Sequence, residues 1–249
     1  MQFLITQNVM IAPDVWSLRL TGDTRALCRP GQFVQVALPG FYLRRPISVC
    51  DWEAGENGAL WLVYKRVGHG TDAMSRLKPG DELDLLTGLG NGYDMAADLG
   101  EEPLLVGGGV GTPPLYGLCR RLVAAGRRPR VALGFNTKSE IILYDAFEAL
   151  GVPLAVATAD GSAGVRGFVT DAMRTLYNDF RYVYACGPEP MLKAVWERCE
   201  ERGAGGQFSF ESRMACGFGA CMGCTRVMKT GAKRVCKDGP VFFREDILW

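Results

Sequence analysis

The chain has 249 residues, 48% of them hydrophobic and 22% charged, which gives enough apolar surface to offset the entropy of ordering a core. That excludes bulk disorder and a single small module. Lys and Arg number 28 against 27 Asp and Glu, interspersed along the chain, so neither nucleic acid nor an anionic membrane finds an electrostatic footprint. No apolar run reaches the roughly 18 residues of a bilayer span. Met1 to Ile5 has neither a basic flank nor a signal-length apolar core, so the expectation is a soluble, cytoplasmic protein with no membrane partner. The one histidine, His69, argues against a His-based triad or a multi-His metal site.

Up to about Leu99, short apolar runs alternate with Gly, Pro and Asp. Residues 32–38 alternate at period two, 59–64 read as a second strand, and Pro30-Gly31, Pro39-Gly40 and Pro79-Gly80 read as turns. This spacing predicts an antiparallel sandwich or barrel. At Glu101-Glu102-Pro103 the texture changes. Leu104 to Val106 predicts a strand, Gly107 to Gly111 a glycine loop, and Pro113 to Ala125 a helix stopped by Gly126. Strands are then predicted at 130–135, 153–158 and 182–185, and helices at 144–150, 168–176 and 190–202. Such alternation is the sequence form of a doubly wound parallel sheet. The stretch 203–206 reads as a linker into a tail too short for its own core. The expected organisation is therefore an α+β multidomain chain: a β-barrel over 1–99, an α/β domain over 100–205 and a small cysteine domain over 206–249.

Nine cysteines are present, and four of them, Cys216, Cys221, Cys224 and Cys236, fall within residues 216–236. Their C-x4-C-x2-C spacing with a distant fourth is that of plant-type [2Fe–2S] centres. Gly217, Gly219 and Gly223 let backbone N–H groups approach the cluster sulfurs. A four-cysteine zinc site is the alternative, but it usually shows two separated C-x2–4-C pairs.

The glycines after Val106 stand between a strand and a helix, where N–H groups and the helix dipole favour a pyrophosphate, although the spacing is not G-x-G-x-x-G. Cys186-Gly187-Pro188 follows the last predicted parallel strand and would share the same crevice. Arg44-Arg45-Pro46-Ile47-Ser48 offers an arginine fork and a hydroxyl, and Val67 to Thr71 a glycine turn; each alone also reads as ordinary surface.

Together these pieces resemble the ferredoxin reductase superfamily. The segment from Glu211 to Cys224, closed by Cys236-Lys237-Asp238-Gly239-Pro240, resembles more narrowly the electron-transfer subunits of type B dihydroorotate dehydrogenase. The resemblance implies FAD held by Arg45, Pro46, Ile47 and Ser48, lined by Leu62, Val63 and Tyr64, with its pyrophosphate at Gly70 and Thr71. It implies NAD facing Gly109, Gly111, Cys186, Gly187 and Pro188, and a [2Fe–2S] cluster on the four tail cysteines. Ile47 stands where many flavin reductases carry Tyr, and His69 reads as a bystander in a variable slot. The implied activity passes electrons from FMN on a dihydroorotate dehydrogenase catalytic subunit through the cluster and FAD to NAD, in pyrimidine biosynthesis. The implied assembly is a heterotetramer of two catalytic and two electron-transfer subunits. A flavin and iron–sulfur reductase subunit of another oxidoreductase, of ferredoxin:NADP reductase or sulfide dehydrogenase type, is the alternative enzyme, and a one-electron carrier the non-enzyme reading. Asp160 near the ribose would disfavour a 2′-phosphate, whereas Arg166 argues the other way.

Overall fold

The structure is a computed structural model that describes residues 1–97, 102–177 and 179–249. The expected boundary between the first two domains, at residues 99 and 100, lies outside the described residues.

Strands β1 (Gln2–Ala12) and β2 (Val15–Gly22) form a hairpin whose turn carries Asp14 in the left-handed region. With β3 (Phe33–Val36), β4 (Arg45–Trp52), β5 (Gly58–Lys65) and β6 (Glu82–Leu89) they close a barrel in the order β1-β2-β5-β4-β3-β6. Its interior is filled by alternate residues of each strand, among them Phe3, Ile5, Leu18, Val34, Leu60 and Leu62, all at most 1% exposed. Each such side chain contributes roughly 1.5–3 kcal/mol by leaving water. A short helix, α1 (His69–Ser75), crosses between β5 and β6.

The period-two pattern of 32–38 is a strand, but it is not half-exposed. Val34 and Val36 point into the barrel while Phe33 packs outward into a core shared with Cys224 and Cys236. Gln35, on the same outward face, is fully buried.

The α/β part follows the predicted order closely: β7 (Leu104–Gly108), α2 (Thr112–Ala124), β8 (Arg130–Phe135), α3 (Tyr144–Glu148), β9 (Leu154–Thr158), β10 (Val165–Arg166), α4 (Val169–Leu176), β11 (Tyr182–Cys186) and α5 (Glu189–Arg202). Prolines 113 and 114 open α2 where their missing N–H groups cost nothing. The expected linker at 203–206 is not one. Gly203 is the left-handed cap that ends α5, and Gly205 begins β12 (Gly205–Ser209), which pairs in parallel with β11. The chain then leaves the sheet, forms the hairpin β13 (Thr225–Met228) and β14 (Gly231–Arg234), and returns as β15 (Val241–Phe243) antiparallel to β12. The sheet order is β10-β9-β8-β7-β11-β12-β15. Two strands of the cysteine-rich tail region thus belong to the α/β sheet, and Cys224, Met228, Val235 and Ile247 share a core with α4 and α5 instead of forming their own.

The barrel is locked to the sheet through α2. Asp51 ion-pairs with Arg120 at 2.8 Å and Arg121 at 2.7 Å, and Arg121 lies 3.5 Å over the Trp52 ring. Behind them, Tyr93 Oη donates to the Ala185 carbonyl at 3.0 Å, and Gln207 bonds both backbone groups of Asp94. Among the described residues no helix is long and apolar enough to cross a membrane.

Candidate cofactor sites

The carboxyl ends of β7 and β11 meet the open side of the barrel, and two cavities lie there side by side. The first, of about 350 Å³, is lined by Arg45, Pro46, Ile47, Ser48, Val63, Tyr64 and Thr71 from the barrel and by Cys186 from the sheet. The second, of about 250 Å³, is lined by Gly109, Gly111, Gly187 and Pro188. A larger groove of about 750 Å³ between α3 and β9–β10 contains none of the expected site residues.

Strand alternation explains which expected residues reach the first cavity. On β5, Val63 faces outward, and Tyr64, with its hydroxyl 3.2 Å from Asn8 Oδ1, closes the end of the barrel. Leu62 does not line the cavity; its side chain sits within the barrel core, fully buried. The two arginines also divide. Arg44 is spent on the barrel, ion-paired with Asp84 and donating to the carbonyls of Gln35 and Asp84. Arg45 lies over the Phe41 ring at 4.8 Å and across Gly70, where a Cβ would come within 2.0 Å of its Nε. The Thr71 hydroxyl is engaged locally, accepting from the N–H groups of Val67 and Gly68, so only its backbone is offered to a ligand. His69 is exposed and lines neither cavity. Arg45 also donates to the Leu43 carbonyl, and a cleft with this guanidinium against a glycine turn and apolar walls beyond it fits a dinucleotide flavin.

In the second cavity the glycines have a steric cause. A Cβ on Gly111 would lie 2.4 Å from the Cys186 carbonyl oxygen and 2.6 Å from Gly187 Cα, so the loop after β7 and the turn after β11 touch backbone to backbone. Gly111→Ala is expected to push these two segments apart, at a cost of about 1–3 kcal/mol. Steady-state kinetics should show KM for NADH rising about tenfold with flavin content unchanged; an unchanged KM would remove this contact from the nicotinamide site. Cys186 itself belongs to the wall of the first cavity and not the second, and burial pushes its thiol up to about 12.

Three residues that the sequence reading did not assign, Lys65, Val110 and Glu211, line both cavities at once. Glu211 lies two residues beyond β12 and Val110 sits between the two site glycines, so their places just past strand ends were the available signal. Asp160, on the loop after β9, accepts from the Ser162 N–H at 2.9 Å and its hydroxyl at 2.6 Å, which holds its carboxyl below the usual range.

The four tail cysteines are brought together. The Cys221 N–H points at Cys216 Sγ (3.4 Å), the Gly223 N–H at Cys221 Sγ (3.5 Å) and the Cys236 N–H at Cys224 Sγ (3.4 Å). Cys216 lies beside Cys221 and Cys236 beside Cys224, with Cys216 near enough to Cys236 to act on it. Four gathered thiols with N–H donors turned toward them would suit an iron–sulfur cluster held by four protein ligands. The backbone N–H of Cys221, with those of Phe218 and Ala220, draws the Cys216 thiol down to about 6, whereas burial pushes Cys236 up to about 12. Arg234, unassigned from sequence, braces the loop: it donates to the Gly219 carbonyl at 3.1 Å and ion-pairs with Asp238 at 3.0 Å, holding that carboxyl at about 2.

Comparison with known proteins agrees with this geometry. Residues 211–248 match the iron–sulfur cluster binding domain of dihydroorotate dehydrogenase B, and residues 105–197 match the oxidoreductase NAD-binding domain. The dihydroorotate dehydrogenase B (NAD(+)) electron transfer subunits of Fusobacterium nucleatum and Bacillus caldolyticus are each 41% identical, over 98% of this chain and 96% of theirs. The structure of an NADH-dependent reduced ferredoxin-NADP oxidoreductase superposes with a TM-score of 0.89 at 34% identity, covering 99% of this chain and 90% of that one. Phthalate dioxygenase reductase, at 21% identity and a TM-score of 0.64 over 80% of this chain and 64% of that one, shares the fold. A barrel, a nucleotide-binding sheet and a four-cysteine loop in this order, matched along nearly the whole length, place the chain in the family of dihydroorotate dehydrogenase B (NAD(+)) electron transfer subunits.

Proposed function

We propose that electrons enter this chain at a [2Fe–2S] cluster on Cys216, Cys221, Cys224 and Cys236 and leave to NAD in the second cavity, with FAD between them in the first. The donor is the FMN of a dihydroorotate-oxidising catalytic subunit, and two subunits of each kind form a heterotetramer in the cytoplasm, a compartment that suits the five cysteines outside the cluster site as free thiols. The observation that carries this reading is contiguity. Lys65, Val110 and Glu211 belong to both cavities, and Phe33 joins the first cavity to the core beneath Cys224 and Cys236.

When bound, the cluster moves single electrons and FAD exchanges them as a hydride pair with NAD. The chain supplies position and exclusion of water. Arg45 and the Gly70 turn hold the flavin diphosphate, while Ser48 and Val63 set the ring edge and face. Gly109, Gly111, Gly187 and Pro188 would let the dinucleotide approach the backbone, and Val110, Lys65 and Glu211 line both cavities where the two ligands would meet.

Around the cysteine loop Phe218 is 56% exposed and Met222 52% exposed, apolar groups outside the tail's shared core. They suit a docking face for the catalytic subunit. Phe218→Asp is expected to weaken the complex about tenfold or more and abolish dihydroorotate-to-NAD transfer while sparing NADH-to-dye activity. Unchanged co-purification and transfer would put the interface elsewhere.

The likeness to the ferredoxin-NADP oxidoreductase favours, as a second reading, service to another electron partner. Orotate formation on adding the catalytic subunit, against ferredoxin-coupled NADP reduction, separates the two.

A further inference from the structure

Gln35 is a buried amide with no partner. It is 0% exposed, and neither its Nε2 nor its Oε1 has a hydrogen bond within the protein. Leaving such a group unsatisfied costs about 1–3 kcal/mol, so a fully buried one calls for a ligand. Its backbone lies in β3 opposite Pro46, a wall of the flavin cavity, and the Gln35 carbonyl is fixed by Arg44. Its side chain points the other way, under the cysteine loop. A Cβ on Gly217 would lie 2.3 Å from Gln35 Nε2, and Gly217, at φ 78°, directly follows Cys216. The loop therefore rests on this amide through a residue that carries no side chain to shield it.

We propose that the Gln35 side-chain amide donates a hydrogen bond to the sulfurs of the cluster site that begins at Cys216, making it a positioning residue that raises the cluster's reduction potential. The inference rests on the cluster assignment made above. Cluster sulfurs are acceptors only, so nitrogen, not oxygen, must face the loop, as it does here. Donors to the sulfurs stabilise the more negative, reduced cluster and raise its potential. The known N–H donors to the thiols all come from the loop and from Cys236, whereas Gln35 comes from the barrel. It is thus a polar tie between the strand beside the flavin and the metal site.

The test is pulsed EPR of the reduced whole chain grown with side-chain 15N-labelled glutamine. Gln32 and Gln207 donate elsewhere, to Gly90 and Asp94, and Gln2 and Gln7 are exposed on β1. A weak 15N coupling to the cluster is the expected result. Gln35→Leu, similar in shape but without a donor, should keep its iron and sulfide, lose the coupling and shift the one-electron equilibrium about tenfold away from the reduced cluster, or ~59 mV. An intact cluster with no 15N coupling in the unsubstituted chain would overturn the inference, whatever Gln35→Leu does to folding. So would an unchanged potential in a cluster-containing Gln35→Leu protein. Zinc without labile sulfide would instead overturn the cluster assignment together with this inference.

Discussion

Replacing Cys224 by Ser is expected to remove the iron–sulfur cluster and lower dihydroorotate-to-NAD transfer by about 100-fold or more, because an incomplete ligand set forfeits both the metal and the folding energy it supplies. Cys224 is 2% exposed and packs in the core with Phe33, so the substitution also places a hydroxyl among apolar groups. NADH-driven dye reduction should stay within about twofold, since Arg45 and the glycine turns are untouched. Visible spectra and iron and sulfide analysis read the first effect, and stopped-flow flavin reduction reads the second. Loss of flavin reduction in folded, FAD-replete protein would mean the electrons do not pass in the proposed order.

Arg45→Ala is expected to act on everything. A charge-assisted hydrogen bond contributes about 1.5–3 kcal/mol, so removing the guanidinium should raise the FAD dissociation constant roughly 10- to 100-fold. Dye reduction and transfer from the catalytic subunit should then both fall, and both should recover on adding excess FAD, because the barrel behind Arg45 is held by Arg44 and Asp84. Arg44→Ala is the contrasting variant: its partners are all within the barrel, so it should lower Tm and leave flavin affinity near that of the parent. Full flavin occupancy in dialysed Arg45→Ala protein would reduce Arg45 to a surface charge.

The contrast between the two arginines shows where sequence reading stops. Arg45 opens β4 and Arg44 stands just before it, and the pattern of a basic pair alone does not say which of the two faces the ligand. The same limit applies at Leu62 and Cys186, of which the first lies in the barrel core and the second on the wall of the first cavity instead of the second. Both stand in segments that line the sites, and alternation along β5 or the turn after β11 decides which cavity, if either, each one meets. Helices and parallel strands were legible because period and capping are local; Gly126 and the prolines of α2 mark ends without reference to anything distant. Strand β12 was hidden by its two opening glycines, which read as a linker until β11 supplies a partner. Gln35 was hidden too, since only the folded loop above it removes it from water. The cysteine spacing needed no tertiary information, because the first three ligands share one loop.

The pairing of Ser209 with Val241 closes the cysteine-bearing excursion at its base. The backbone between these two residues leaves and re-enters the sheet at one point, so opening of the excursion would uncover its packing against α4 and α5 while leaving the ladder hydrogen bonds of β11 and β7 in place. Hydrogen exchange should then separate into two classes in protein stripped of metal, fast across the loop and slow across the sheet. A newly made chain can on this account complete its barrel and sheet, take up flavin and wait, presenting an open loop as a folded recipient for the machinery that delivers iron and sulfide.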